Sequence, residues 1–183
     1  GMDLPLAAMI MVPEPWAHND TISQEVRDFY QYYATMMEPW DGPASILFSN
    51  GDVMGAILDR NGLRPSRYYI TDDNRLILSS EVGVLDIDEA HILQKERLHP
   101  GKMLLVDTVK KKIFSDKELK EFYAHKEPYG EWLDSNLLSL KDVKVPNAKV
   151  TKYSEEERMQ LQKAFGYTYE ECRESIYSMA VNG

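Results

Sequence analysis

The chain of 183 residues is 43% hydrophobic and 28% charged, which predicts one globular domain with a core of ordinary size. Its net charge of −9 argues against nucleic acid or anionic membranes as partners, and no apolar run reaches the roughly 20 residues of a membrane-spanning helix. The single cysteine, Cys172, excludes an internal disulfide and a cysteine-based zinc cluster, so we expect a protein of the reducing cytoplasm.

The first region, up to about Met37, is predicted to be mainly helical. Thr21 and Gln24 have the spacing of a capping box, which predicts that a helix begins there. Apolar residues then recur at intervals of three and four, a pattern typical of a helix that packs into a core rather than one that binds a cofactor. These residues are Ile22, Val26, Phe29, Tyr30, Tyr33 and Met37.

The second region, from about Gly42 to Phe114, is predicted to be an antiparallel meander of six short strands. The three strand pairs are 45–48 with 53–58, 67–70 with 76–79, and 103–106 with 113–114. Asn50-Gly51 indicates a type I′ turn, because this pair supplies the two positive φ angles that such a turn needs. The lysines at 110–112 are interpreted as a solvated hairpin turn.

The third region, from about Asp116, is predicted to begin as a helix and to continue as a connection. The residues from Lys117 to Ala124 have a helical pattern, and Trp132-Leu133 is expected to pack onto the sheet. Asp142 to Lys152 is polar and contains proline, which favours a connection.

Two further helices are predicted near the C-terminal end. Ser154 with Glu157 and Thr168 with Glu171 form capping boxes, and Gly166 stands where the first of these helices should end. Together with the meander, these helices predict an α+β fold in which an antiparallel sheet is flanked by helices.

No catalytic, cofactor-binding or metal-binding residue is predicted. Cys172 lies among acidic residues, which disfavour the thiolate, so we interpret it as a packing or incidental thiol. The four histidines are too far apart for a metal site and are interpreted as exposed or locally hydrogen-bonded residues. They are His18, His91, His99 and His125.

One segment between two predicted strands is unusually specific, and its residues are candidates for a structural motif. They are Asp59, Arg60, Asn61, Gly62, Arg64 and Pro65. The Asn-Gly pair can take left-handed angles in a tight connection, and the proline fixes the start of the next strand. The arginines can pair with Asp59 or donate to carbonyl groups at the end of the sheet. We favour a structural turn with paired charges; the alternative is an anion-binding loop.

This segment and five others resemble the large subunit of glutamate synthase. The matching stretches are 13–16, 37–44, 58–65, 80–87, 100–103 and 162–168, in that order along nearly the whole chain. The resemblance implies the N-terminal-nucleophile hydrolase fold of class II glutamine amidotransferases, in which stacked sheets lie between helices (αββα). It also implies that residues 1–140 are the C-terminal part of such a domain and that 141–183 are a linker and helices leading to a central domain.

The catalytic residues of that family do not carry over to this sequence. The family uses an N-terminal cysteine as nucleophile, an arginine and an aspartate to hold glutamine, and an Asn-Gly pair as oxyanion hole. We expect the nucleophile, the aspartate and the oxyanion segment to lie before Gly1, and we assign Asn50-Gly51 to its hairpin instead. The FMN and the iron–sulfur cluster that the family uses to make glutamate from 2-oxoglutarate are likewise expected outside this chain.

The resemblance therefore implies a scaffolding fragment that is inactive alone and whose partner is the remainder of a glutamate synthase. Without that remainder, its sheet edges should be exposed and should favour self-association. Two alternatives stay open: a naturally split subunit that works with a separate cysteine-bearing half, and a non-catalytic binding or regulatory module.

Overall fold

The computed structural model describes residues 1–143 and 151–182 of a chain that divides into two compact units, Gly1–Leu137 and Leu138–Gly183. The first unit contains α1 (Leu4–Met11), α2 (Gln24–Ala34), β1 (Ser45–Ser49), β2 (Val53–Leu58), β3 (Arg67–Thr71), β4 (Leu76–Ser79), β5 (Ile92–Arg97), β6 (Met103–Asp107), β7 (Lys112–Phe114), α3 (Asp116–Ala124) and α4 (Tyr129–Asn136). The second unit contains α5 (Glu155–Ala164), a π-helical segment (Glu171–Ile176) and α6 (Tyr177–Asn182).

The strands are antiparallel, as predicted, but they form two sheets rather than one continuous meander. Sheet A has the order β1-β2-β6-β7 and sheet B has the order β4-β3-β5. The three predicted hairpins are confirmed, but the chain leaves sheet A after β2, builds sheet B, and returns to pair β6 with β2. Strand β5 was not predicted, because it is mostly exposed at the edge of sheet B and has no alternation of apolar and polar residues.

The two faces of sheet A are both covered, one by helices and the other by sheet B, as the α+β prediction requires. Side chains alternate across the sheet, so successive strand residues enter different layers. The buried residues between helices and sheet A include Phe29, Tyr30, Ile57, Met103 and Leu105. The buried residues between the two sheets are Ala56, Leu58, Leu98 and Leu104. The layers agree with a partial αββα fold.

The turn between β1 and β2 differs from the predicted type I′ turn. Gly51 has a positive φ of 100°, but Asn50 does not appear among the described residues with positive φ. Instead, the Asn50 side-chain oxygen accepts hydrogen bonds from the backbone N–H groups of Asp52 (3.1 Å) and Val53 (2.9 Å). The asparagine therefore forms the turn through its side chain rather than through a left-handed backbone.

Helix α2 begins later than predicted. Its N-cap is Ser23, whose hydroxyl accepts a hydrogen bond from the backbone N–H of Val26. Thr21 lies two residues before this N-cap and does not cap the helix; its backbone N–H and its hydroxyl donate to the Asn19 side chain in the preceding turn. The capping box of Thr21 and Gln24 is therefore wrong, although the helix itself is confirmed.

Trp132 packs on a helix rather than on the sheet, contrary to the sequence-based expectation. Its ring centroid lies 5.2 Å from that of Tyr32 and 5.6 Å from that of Tyr129. The neighbouring Leu133 is buried. Aromatic contacts between α2 and α4 thus hold the last helix of the first unit in place.

The second unit follows the local signals closely. The capping boxes at Ser154 and Thr168 both form. Helix α5 ends in a Schellman motif, in which Gly166 has φ 75° and donates to the carbonyl of Lys163 while Tyr167 donates to that of Gln162. Of the connection predicted over 142–152, residues 144–150 lie outside the described residues.

Candidate functional site

Three of the segments that carry the resemblance line one cleft in the first unit. The segments are 13–16, 38–42 and 59–61, and the cleft has a volume of about 820 Å³. The backbone N–H of Trp40 donates to the carbonyl of Met11 over 2.9 Å, which ties the middle segment to the end of α1. Residues distant in sequence are therefore brought together on one surface.

Asp59 is the organising residue on the sheet side of this cleft. Its carboxylate is buried and accepts hydrogen bonds from the backbone N–H groups of Ala44 (3.2 Å) and Asn61 (2.8 Å). Its own carbonyl accepts from Gly62 (3.1 Å) and Gly101 (3.0 Å). A single residue thus joins the chain before β1, the chain after β2 and the turn before β6.

The two arginines of the segment lie apart from Asp59, so the predicted charge pairing does not occur. Arg60 is exposed, and its nearest acidic partner among the described residues is Asp41, at 4.0 Å. Arg64 is exposed and lines a different cavity. The physical reason is that backbone N–H groups already occupy the Asp59 carboxylate, which lies under the surface where long side chains do not reach.

The Asn-Gly pair and the proline of this segment act through the backbone. Gly62 has the left-handed φ of 60°, whereas Asn61 does not, so only one of the two predicted left-handed residues is found. A β-carbon on Gly62 would lie 2.5 Å from Pro100 Cγ, which requires glycine at this position. Pro65 is exposed two residues before β3 begins, where it was expected.

Behind the cleft lies a buried ionic cluster that sequence reasoning missed. Lys120 Nζ is 2.7 Å from Glu14 Oε1 and 2.8 Å from Asp116 Oδ2, and it donates to the carbonyl of Gly101 over 3.1 Å. Lys102 Nζ reaches the same two carboxylates at 3.2 and 3.1 Å. The cluster therefore joins the α1–α2 connection, the turn before β6 and the start of α3.

The cluster changes the titration of its neighbours. Burial raises the pKa of Tyr30 well above its usual value, and the carboxylates of Glu14 and Asp116 raise it further. Burial alone would lower the pKa of Lys102, but Asp116 and Glu14 together raise it. Tyr30 and Lys102 therefore keep their protons at neutral pH.

A weak signal for this cluster was present in the sequence. Lys120 follows Leu119 on the face of α3 that also carries Tyr123, and all three are buried. A lysine in the apolar stripe of a helix requires a charge partner. Its partner, Glu14, is distant in sequence. From the sequence, Glu14 was interpreted only as part of the 13–16 motif, and this ion pair was not predicted.

The cleft offers little for covalent chemistry. Among the described residues that line it there is no cysteine, serine or threonine. Cys172 belongs to the second unit and lies in the π-helical segment. In the described ranges 1–143 and 151–182, no cluster of histidine, cysteine and acidic residues could hold a metal ion.

Comparison with known proteins decides the family. Residues 1–132 match the family Glutamine amidotransferases class-II. The chain belongs to this family. This amidotransferase-family chain is 46% identical over 179 residues to the "Glutamate synthase [NADPH] large chain" of Bacillus subtilis (strain 168). The aligned region covers 96% of this chain and 11% of that protein.

Other relatives of this amidotransferase-family chain are glutamate synthases as well. "Ferredoxin-dependent glutamate synthase 1, chloroplastic/mitochondrial" of Arabidopsis thaliana is 46% identical over 180 residues, covering 97% of this chain and 11% of that protein. "Glutamate synthase [NADH]" of Schizosaccharomyces pombe (strain 972 / ATCC 24843) is 41% identical over 190 residues, covering 100% of this chain and 9% of that protein. The chain therefore spans about a tenth of the length of these relatives. No helix in the described part of the chain has the length and apolar character of a membrane span.

Proposed function

We propose that this chain is the C-terminal part of the glutamine amidotransferase domain of a glutamate synthase and that it supports the glutamine site without performing catalysis. The observation that supports the proposal is that acidic residues of the resembling segments bind other groups of the protein itself. Glu14 and Asp59, which belong to two of the resembling segments, are buried, and their carboxylates make contacts within the protein. Residues used in this way position a fold rather than a substrate.

The division of labour within the chain follows from the two units. Residues 1–140 would form the amidotransferase part, which agrees with the family match over 1–132. Residues 141–183 would be the linker and helices that lead to the next domain. The remainder of the glutamate synthase chain would supply the nucleophile, the glutamine-binding residues and the synthase domains. The protein would be located in a reducing compartment, the cytoplasm.

The cofactors of the family fit the remainder of the protein better than this chain. Iron–sulfur clusters are held by several cysteine thiolates, and the whole sequence has a single cysteine. We therefore assign the iron–sulfur cluster and the FMN to regions outside these 183 residues.

Exposed strand edges support a further part of the proposal, which is association. Strand β1 is an edge of sheet A, and β5 is an edge of sheet B. Leu47 on β1 is 62% exposed and Leu93 on β5 is 70% exposed. Such edges pair with other strands, so the remainder of the domain would cover them, and isolated chains would pair with each other.

The test of inactivity is release of ammonia from glutamine by the purified chain. The expected result is a rate equal to that of buffer, for the wild type and for Cys172→Ser alike. Ammonia release that disappears in Cys172→Ser would refute the scaffolding role, because it would place a catalytic thiol in this chain.

The test of scaffolding is made in the complete protein with Asp59→Ala and, as a matched control, the adjacent exposed Arg60→Gln. Asp59→Ala should reduce the yield of folded protein, since two backbone N–H groups lose their acceptor, while the KM for glutamine of the folded fraction stays unchanged. Arg60→Gln should change neither quantity. A normal yield of Asp59→Ala with a raised KM for glutamine would show that Asp59 serves the substrate instead.

A further inference from the structure

Three arginines surround a cavity at one end of sheet B. Arg64 from the connection before β3, Arg67 at the start of β3 and Arg97 at the end of β5 line a volume of about 250 Å³. This cavity is separate from the cleft around Asp59, and Arg60 does not line it. The two arginines of the 59–65 segment therefore belong to different surfaces.

The charges around this cavity are not balanced within the protein. Arg67 and Arg97 are directly opposite each other in the antiparallel pairing of β3 with β5, an arrangement in which like charges destabilise a sheet. The other arginines of the first unit, Arg27, Arg60 and Arg75, each have a carboxylate within 4.0 Å.

By contrast, no acidic partner within 4.0 Å accompanies Arg64, Arg67 or Arg97 in the ranges that the structure describes. The chain as a whole carries a net charge of −9, so acidic side chains are abundant. Three arginines without a carboxylate partner thus line one cavity of a protein that is acidic overall.

A buried hydroxyl in the same wall also has no partner. Ser66 lines the cavity and is 4% exposed. Its carbonyl accepts a hydrogen bond from the backbone N–H of Leu98 over 2.9 Å, but its Oγ has no hydrogen-bond partner among the described residues. Buried polar groups in folded proteins are normally hydrogen-bonded, so this Oγ is an unsatisfied group of the wall; it is closed to solvent, and a bound anion would contact the arginines rather than the hydroxyl.

We propose that Arg64, Arg67 and Arg97 form a binding site for a small oxyanion of the phosphate type. Guanidinium groups bind such anions with two parallel hydrogen bonds. The volume is below the roughly 300–1,000 Å³ of pockets for drug-sized ligands, and it suits a single phosphate group with water. Bound anion would also relieve the repulsion between Arg67 and Arg97. The site does not depend on the proposed role in glutamate synthesis.

The test is a titration of the chain with inorganic phosphate at constant ionic strength, followed by the unfolding temperature and by calorimetry. The expected result is a saturable rise in unfolding temperature that equal ionic strength of chloride does not produce. Loss of one charge-assisted hydrogen-bonding group weakens binding by about 10-fold, so Arg64→Gln and Arg97→Gln should each raise the Kd by about that factor. Arg75→Gln, on the same sheet but paired with Asp73, is the matched control and should bind phosphate as the wild type does.

The unfolding temperatures of Arg97→Gln and the wild type, compared with and without phosphate, distinguish a specific site from a nonspecific effect of charge. Without phosphate, Arg97→Gln should unfold at a higher temperature than the wild type, because the repulsion with Arg67 is gone. With saturating phosphate the order should reverse. Three results would each overturn the proposal. They are a rise in unfolding temperature with chloride equal to that with phosphate, a loss of phosphate affinity in Arg75→Gln equal to that in the cavity variants, and a larger rise with acetate than with phosphate. Arg64 is exposed in the connection before β3, so Arg64→Gln is expected to fold. It can therefore decide the test even if Arg97→Gln, in strand β5, does not fold.

Discussion

Replacement of Lys120 by methionine tests whether the ionic cluster behind the cleft stabilises the fold. Methionine retains most of the length of the side chain and removes the ammonium group. The wild-type group lies 2.7 Å from Glu14, 2.8 Å from Asp116 and 3.1 Å from the carbonyl of Gly101. The variant leaves two carboxylates and one carbonyl with fewer partners in a region closed to water.

The magnitude follows from burial. The Lys120 side chain is 7% exposed and that of Glu14 is 6% exposed, and breaking a buried ion pair from one side costs about 3–5 kcal/mol. Lys102 remains beside both carboxylates, so we expect about 3 kcal/mol, the lower end of this range. Lys102→Met is the matched control. Its side chain is 43% exposed, and loss of an ion pair at such a position costs about 1 kcal/mol or less.

The assay is urea unfolding at pH 7, followed by far-UV circular dichroism, with the free energy obtained by linear extrapolation. The double variant Glu14→Gln with Lys120→Met should recover part of the loss, because it removes the uncompensated charge. A cost below about 1 kcal/mol for Lys120→Met, or equal costs for Lys120→Met and Lys102→Met, would refute the reasoning, since the cluster would then behave as a surface ion pair.

Three further outcomes are expected. Gly55→Ala should cost about 1–3 kcal/mol in urea unfolding, because its β-carbon would overlap the Phe48 ring; a gain in stability would contradict this contact. Hydrogen bonds from the backbone N–H of Ser115 and, to a smaller extent, from Lys112 lower the pKa of Glu118 from 4.5 to about 2. The contribution of ionised Glu118 to the free energy of unfolding is therefore present above pH 4.5 and lost as the pH falls toward 2. The difference in urea midpoint between wild type and Glu118→Gln should shrink over that window, and a constant difference would count against the cap. Light scattering of the isolated chain should report a mass that rises with concentration, and a monomer throughout would exclude association through the strand edges.

The sequence was most informative where structure is decided locally. The three hairpins, the capping boxes at Ser154 and Thr168, and the end of α5 at Gly166 were all predicted, because each depends on residues within a few positions of each other. The same reasoning failed for Thr21, because Ser23, two residues later, accepts from the backbone N–H of Val26 and begins the helix instead.

Features that depend on distant residues were not predictable. The return of β6 to β2 makes two sheets from what reads as one meander, and nothing in either strand alone specifies its partner. The 59–65 segment was singled out from the sequence, but the contacts of Asp59 with Ala44 and of Lys120 with Glu14 join residues that only the fold brings together. For the same reason the separation of Arg60 from Arg64 could not be foreseen.

The contacts of Asp59 also have a consequence for the order of folding. Its carbonyl binds the N–H groups of Gly62, where the chain leaves for sheet B, and of Gly101, where it comes back. The pairings within sheet B are closer in sequence than the pairing of β2 with β6, and contacts of short sequence separation form faster. We therefore expect sheet B to assemble first and to bring the ends of the long loop together, which lowers the entropy cost of closing sheet A. Pulse-labelled hydrogen exchange would then protect β3 and β5 before β2 and β6.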